Sequence, residues 1–305
     1  MSGPTTWATV TPESPCEICG KTDWCARSSD GRRVCRRISD GAIAQRIDRS
    51  GSVYWVHAAP GADGTDRCGR VGRHFQKSST RKVTPLPSSL LHAVYSEMLA
   101  GLPLDAGHRQ NLLRRGLNDD QIECGEYRSL GKGQHSSIAN ALVERFGPDV
   151  AAHVPGIYFH RQWNDWRLCS ASGLLVPVRN HAGEIVALKV RRDASDTGPK
   201  YVYMSSVKRG GMSPGAPVHV PVFAASDRST CRITEGELKA DVATALSGML
   251  TISVPGVNAW RAVIPVLRAL KIKNVRLAFD ADYRTNPHVA HALDACASTL
   301  VREGF

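Results

Sequence analysis

No run of apolar residues approaches the ~18 consecutive positions that a membrane-spanning helix needs. The segment Met1 to Val10 lacks the basic start and apolar centre of a secretory signal. The chain is therefore read as cytoplasmic, with no membrane partner. No internal repeat is present, which excludes a solenoid or a propeller. Acid is in short supply: 28 Asp and Glu face 39 Lys and Arg, a net charge of +11, and a basic balance of this size points to an anionic partner such as nucleic acid or nucleotides. A disulfide scaffold is also excluded, because nine cysteines is an odd number and four of them sit together at metal-ligand spacing.

With 305 residues, 42% of them hydrophobic, the chain can build more than one core. Residues 1–60 hold the cysteine cluster and short apolar runs such as Ser52 to His57, which read as a small β module. Residues 61–87 are rich in Gly, Ser, Thr, Arg and Pro without periodicity, and read as a linker. Residues 88–229 open with a helix through Leu90, Leu91, Val94, Tyr95, Met98 and Leu99, and a second around Gln110 to Arg115. Strands follow at Gly156 to Phe159, Leu174 to Val178, Ile185 to Arg191 and Tyr201 to Met204, with a hairpin turn at Ala182-Gly183.

Residues 230–305 alternate strand and helix three times: Cys231 to Thr234, Leu238 to Leu246, Leu250 to Val254, Ala259 to Leu270, Val275 to Phe279 and His288 to Val301. Such βαβαβα alternation predicts a parallel sheet with right-handed crossovers and helices on both faces. The predicted class is α/β: a small β ribbon, an α+β middle region and a C-terminal parallel sheet.

Cys16-Glu-Ile-Cys19-Gly20 places two thiolates on one tight turn, within reach of one ion at ~2.3 Å. Cys25 and Cys35 complete a tetrahedron, with Asp30-Gly31 as the hairpin between them. His57 is the substitute ligand should Cys25 turn away. The expected ion is structural Zn²⁺, which supplies folding energy to a module too small for a sufficient core. Cys68, Cys124, Cys169, Cys231 and Cys296 are scattered and read as packing residues. Trp24, Arg32, Arg33 and Arg36 stand near the cluster with Tyr54 and Trp55, a mixture of rings and cations suited to single-stranded nucleic acid. The competing reading makes Trp24 and Trp55 the core of the module.

Glu235 directly follows one predicted strand, and Asp280 and Asp282 follow another. Ligands gather beyond the carboxyl ends of parallel strands, so these acids should converge. Clustered carboxylates repel unless a hard cation such as Mg²⁺ or Mn²⁺ neutralises them, and such an ion can order phosphates for in-line transfer. The alternative makes Glu235 a helix cap and the aspartates solvated loop residues.

Ile233-Thr-Glu-Gly-Glu-Leu-Lys-Ala240 followed by Leu277-Ala-Phe-Asp-Ala-Asp282 resembles the TOPRIM domain of bacterial DnaG-type primases, type IA and II topoisomerases and some nucleases. Cys16 to Arg37 resembles the zinc ribbons that precede this domain in primases and in primase-like proteins of phages and other mobile elements. The order, ribbon first and acidic sheet last, is that of primases.

The resemblance implies template-dependent primer synthesis, with single-stranded DNA, nucleoside triphosphates and a replicative helicase as partners. It makes Glu235, Asp280 and Asp282 catalytic metal ligands, and places Arg179, Lys189, Arg191, Lys200 and Tyr201 along a groove for template or nucleotide. In the competing reading these are solvated hairpin charges. Lys239 stands where the family has an acid, and is expected to contact phosphate. The family would continue with a further strand beyond Phe305, so the sheet is expected to lack its last strand. A TOPRIM nuclease and a non-catalytic module that binds or loads single-stranded DNA remain the rival readings.

Overall fold

The computed structural model describes residues 6–29, 31–38, 42–47, 53–58, 85–193, 199–280 and 287–305. Asp30, Cys68, Asp282 and nearly all of the expected linker lie outside the described residues. The chain divides into two units, Met1–Thr80 and Arg81–Phe305.

The first unit is one antiparallel sheet of five short strands, β1 (Trp7–Thr9), β2 (Ala26–Ser28), β3 (Arg33–Cys35), β4 (Ala42–Ile47) and β5 (Val53–His57), in the order β1-β2-β3-β5-β4. The expected hairpin joins β2 to β3. Its turn needs a residue with φ of +86°, which Gly31 adopts without a Cβ penalty, and the Ser28 N–H closes it onto the Arg32 carbonyl at 2.9 Å. Strands of three residues bury little, and the cluster packed at the centre of this unit is Val10, Cys16, Cys25 and Cys35, joined by Ile18 and Cys19. Trp24 is 69% exposed, so it is not part of that core.

The second unit opens with α1 (Ser88–Ala100), α2 (Ala106–Arg114), α3 (Asp119–Cys124), β6 (Arg128–Leu130), α4 (His135–Phe146) and α5 (Pro148–Ala151). Strands β7 (Ile157–His160), β8 (Asp165–Leu168), β9 (Gly173–Arg179), β10 (Ile185–Arg192) and β11 (Tyr201–Tyr203) follow. Four of these strands form an antiparallel sheet, β11-β10-β9-β6, while β7 and β8 pair as a separate hairpin. Alternation along β10 sends Leu188 and Val190 into a core shared with α1 and α4, and turns Lys189 and Arg191 to the opposite face. Across the strand pair these meet Tyr203 and Tyr201, respectively.

The last third is the predicted alternation: β12 (Asp227–Glu235), α6 (Glu237–Ser247), β13 (Met249–Val254), α7 (Val263–Ala269), β14 (Asn274–Leu277) and α8 (Pro287–Arg302). Its strands are all parallel, ordered β13-β12-β14. The segment expected as one helix over Ala259 to Leu270 is split, with a 3-10 turn at Val257–Ala262 ahead of α7. Pro265 has no N–H to donate and is tolerated only in the first turn of a helix, so α7 starts just before it.

Helices cover both faces of this sheet. Trp260, Val263, Leu267, Cys296 and Leu300 pack with Ile233 and Ile252 on one side. On the other, α6 presents Leu238, Val242 and Ala245 to Leu174 and Val176 of β9, so α6 lies between the parallel and the antiparallel sheets. Fully burying each such aliphatic side chain stabilises the fold by about 1.5–3 kcal/mol. A buried polar chain reinforces the contact. The Tyr127 hydroxyl donates to Asp241 Oδ2 at 2.6 Å, and His219 Nε2 meets Asp241 Oδ1 at 3.0 Å. The Arg179 N–H donates to His219 Nδ1 at 3.0 Å, which leaves the imidazole proton on Nε2 and aims it at Asp241.

Candidate functional site

In the first unit the Sγ atoms of Cys16, Cys19, Cys25 and Cys35 all lie within 4.8 Å of one another, and Cys19 and Cys25 are 3.7 Å apart. A tetrahedron with 2.3 Å bonds has edges of about 3.8 Å, so the four thiols fit zinc. Cys25 is a member of the set, and His57 instead hydrogen-bonds the Ile38 carbonyl at 3.1 Å. Backbone N–H groups of Arg37 and Ile38 point at Cys35 Sγ, at 3.5 and 3.3 Å, and the Arg37 guanidinium lies 3.6 Å from Cys25 Sγ. Such donors stabilise thiolate charge around a bound ion.

Without a cation the thiols divide. Burial pushes Cys25 up to about 12 and raises Cys35. For Cys19, burial acts upward but is outweighed by the hydrogen bond from Lys21 and the neighbouring thiols, which bring it to about 7. An ion held by all four thiolates would have no open position, which suits a structural rather than a reactive site.

The basic residues expected near it are engaged within the unit. Arg33 pairs with Glu17 at 2.8 Å, Arg32 lies over the Trp7 ring at 5.8 Å and Arg36 over Tyr54 at 5.5 Å. Trp24 stands out from the surface with the Arg37 guanidinium 5.9 Å from its ring.

The second unit contains a cleft of about 540 Å³ at the carboxyl end of the parallel sheet. From β12 the chain crosses through α6 to β13 on one side, whereas β14 pairs on the other, and such a switch of direction opens a crevice between the two flanking strands. Glu235, the last residue of β12, and Asp280, just beyond β14, both line it. The Thr234 hydroxyl donates to the Ala278 carbonyl at 2.8 Å and ties the two strand ends together. Gly236 then turns the chain into α6 at φ +84°, and the helix start has no side-chain cap. Glu235 therefore does not serve as a cap.

Lys189, Lys200, Tyr201 and Lys239 line the same cleft, contributed by β10, the start of β11 and α6. Arg191 shares the Lys189 face of β10 and pairs directly across from Tyr201. Arg179 stands apart. It is 4% exposed, ion-pairs with Glu126 and donates to the Gly183 carbonyl at 3.1 Å, so it secures the β9–β10 turn.

Two cleft residues escaped the sequence reading. Arg115 lines the cleft from the end of α2. Glu237 is 2% exposed, accepting from Lys189 Nζ at 2.7 Å and from the Tyr203 hydroxyl at 2.7 Å, with Lys189 4.7 Å from the Tyr203 ring. Burial and then the Glu237 charge push the Tyr203 hydroxyl well up, so it stays a donor. No local signal singled out Glu237, whose burial comes from the packing of α6 against the antiparallel sheet.

Glu237 uses both oxygens within the cleft wall, and Glu235 and Asp280 are the other carboxylates that line the cleft. Lys239 forms an ion pair with Asp280.

A four-cysteine ribbon with a mixed α/β unit whose parallel sheet ends in a cleft is the fold of DnaG-type primases. No family model and no curated protein matches the sequence. Among solved structures, the chain is similar to the zinc-binding and RNA polymerase domains of the Aquifex aeolicus primase, with a TM-score of 0.55, 12% identity, and coverage of 72% of this chain and 54% of that one. It is also similar to the RNA polymerase domain of Mycobacterium tuberculosis primase DnaG, solved with a double-stranded DNA oligomer bearing a 6-nucleotide overhang, with a TM-score of 0.50, 18% identity, and coverage of 68% and 80%. At these identities the likeness is one of fold. The chain spans about half the length of the Aquifex structure, 54% of it. No helix among the described residues is long and apolar enough to cross a membrane.

Proposed function

We propose that this chain is a primase-like protein whose cleft joins nucleotides on a single-stranded DNA template. The observation that carries this reading is the convergence of Glu235 and Asp280 with Lys189, Lys200, Lys239 and Arg115 on one cleft at a strand-order switch. The two carboxylates, with Asp282 two residues on, would hold a magnesium or manganese ion, which when bound offsets charge on phosphate oxygens in an in-line displacement. Lys189, Lys200 and Arg115 attract and orient the triphosphate, and Tyr201 offers a ring against a base. The ribbon, with Trp24 standing out from it, is proposed to touch the template.

The test is primer synthesis on single-stranded DNA with labelled nucleotides and Mg²⁺ or Mn²⁺. Asp280→Asn should lower product by about 100-fold or more while DNA binding holds. If the variant synthesises primers like the wild type, the cleft is not the reaction site; if it shortens labelled strands without nucleotides, the activity is that of a nuclease. The Lys239–Asp280 pair favours one second reading, a binding module without catalysis, because it neutralises a candidate metal ligand from within. That reading predicts DNA affinity that falls with salt and is indifferent to both Asp280→Asn and added metal.

A further inference from the structure

The two ends of the parallel sheet carry different surfaces. The charged cleft lies at the carboxyl end. At the amino end, beside Leu250 near the start of β13 and Ile272 ahead of β14, a second groove of about 530 Å³ opens. Val220, Leu250 and Ile272, all buried, line it together with the partly buried Phe223 and Leu270. No carboxylate lines this groove, and the ionisable residues that do are Lys271 and His181, the latter in the β9–β10 turn.

The chain that borders the groove is fastened at its two ends and unpaired between them. His219 exchanges two backbone hydrogen bonds with Ser253 of β13, each of 2.9 Å, and the Val220 N–H donates to the Arg179 carbonyl at 2.9 Å. The next backbone bond runs from the Ser226 N–H to the Gly248 carbonyl, at 2.9 Å. Between these anchors Pro221 has no N–H to donate, and Val222, Phe223, Ala224 and Ala225 make no backbone hydrogen bond to any described residue. Val222 is 39% exposed and Ala224 is exposed, so this stretch stands at the surface and offers its N–H and C=O groups as an edge strand does.

Lys271 supplies the charge. It closes α7 with φ of +57°, its N–H donating to the Arg268 carbonyl and the Ile272 N–H to the Leu267 carbonyl, both at 3.0 Å. Glycine is the ordinary residue at such a left-handed helix end, and a side chain there strains the backbone. The lysine keeps that strain, and it stands exposed at the groove with no ion pair among the described residues. An extended peptide meets all of these features at once: apolar side chains fill the groove, its main chain pairs with the open stretch, and carboxylates meet Lys271. Nucleic acid leaves the apolar lining uncovered, and a second copy of this chain brings the same excess of positive charge, +11.

We propose that this groove docks an extended segment of a partner protein, in which apolar residues alternate with acidic ones, as a strand added along residues 222–225. Alternation turns the apolar side chains of the docked strand toward Leu250, Leu270 and Ile272 and keeps its carboxylates at the rim, where Lys271 stands. Four paired residues span about 13 Å. The groove lies at the opposite end of the sheet from the cleft, so the proposal does not rest on the reading of the cleft.

The test measures fluorescence anisotropy of a labelled, end-capped peptide of about eight residues, alternating valine and glutamate, with the full zinc-loaded chain. The wild type should bind it below about 1 mM, and a peptide with lysine in place of glutamate should bind at least about 10-fold more weakly. Of two peptides methylated on alternate backbone nitrogens, one should fail to bind and the other bind like the parent, because an added strand turns alternate N–H groups to its neighbour. Lys271→Gly should weaken binding by roughly 3- to 10-fold without lowering the urea midpoint, since glycine relaxes the left-handed position. Its affinity for an oligothymidylate should equal that of the wild type. The proposal is overturned if the wild type does not bind the parent peptide, or if Lys271→Gly or the lysine peptide binds as well as its counterpart. Equal behaviour of the two methylated peptides also overturns it. A matching loss of oligothymidylate binding in Lys271→Gly makes the groove part of a nucleic-acid surface instead, and overturns it too.

Discussion

The ribbon and the cleft, each proposed to hold a cation, are built in opposite ways. In the ribbon four thiols from within 20 residues of chain surround one point, three of them buried, with no position left for a reactant. In the cleft two carboxylates from strands 45 residues apart face a space of about 540 Å³, ringed by side chains that are themselves cationic. The ribbon has four thiols at its centre where a larger module would have a hydrophobic core; the second unit packs its core elsewhere, including on the faces of α6. A closed site with soft ligands suits structure, whereas an open site with hard ligands suits exchange of ions and substrates.

The largest effect that sharpens this comparison lies in the ribbon. Cys35→Ser should unfold the first unit, removing zinc-derived folding energy on the order of 10 kcal/mol. Proteolysis would then digest residues up to Thr80 while the second unit, Arg81–Phe305, keeps its thermal transition; cleavage of both units alike would show that the ribbon is not independent. Acid should act in the same direction. Zinc binds thiolates, and burial holds protons on Cys25, up to about 12, and on Cys35, so zinc entry near pH 7 must expel them. Retention therefore falls as the pH drops below about 7, the range to which Cys19 is drawn, and a chelator assay between pH 8 and pH 5 should show release accelerating downward. Release that is indifferent to pH would contradict thiolate ligation.

In the cleft, Lys189→Met leaves the Glu237 carboxylate buried with the Tyr203 hydroxyl alone, and should destabilise the second unit by about 3 kcal/mol in urea unfolding. A change below about 0.5 kcal/mol would place this pair in solvent. The smallest effect belongs to Lys239. Its pair with Asp280 is 47% and 62% exposed, so Lys239→Met should alter stability by less than about 1 kcal/mol. Manganese binding should tighten by up to about five-fold once Asp280 is released, as read by titration, and weaker binding would make Lys239 a support of the ion site.

The two regions also differed in how far the sequence disclosed them. The cysteine spacing is local, so the ligand set and the β2–β3 hairpin were readable at once. The parallel strands were readable because short runs rich in apolar and β-branched residues, such as Leu250-Thr-Ile-Ser-Val254, alternate with helices of regular period. Short or polar elements escaped: β6 is three residues, β8 reads Asp-Trp-Arg-Leu, and α4 begins with His-Ser-Ser and carries a modest apolar face. Glu237 looked like any acid in the first turn of a helix. It is buried because α6 is enclosed between two sheets, a fact of tertiary packing that no local pattern encodes. Arg179 failed in the reverse sense, since a basic residue at a strand end was drawn into a turn and the Glu126 pair rather than the cleft.

The central claim, two cation sites of opposite kind in one chain, is tested most directly by counting metals in the wild type and in Glu235→Gln and Asp280→Asn. The account predicts one zinc per chain in all three that survives dialysis against a weak chelator, and exchangeable manganese, followed by electron paramagnetic resonance, that is lost in both variants. Manganese bound equally well by all three proteins, or zinc lost with the cleft acids, would contradict it.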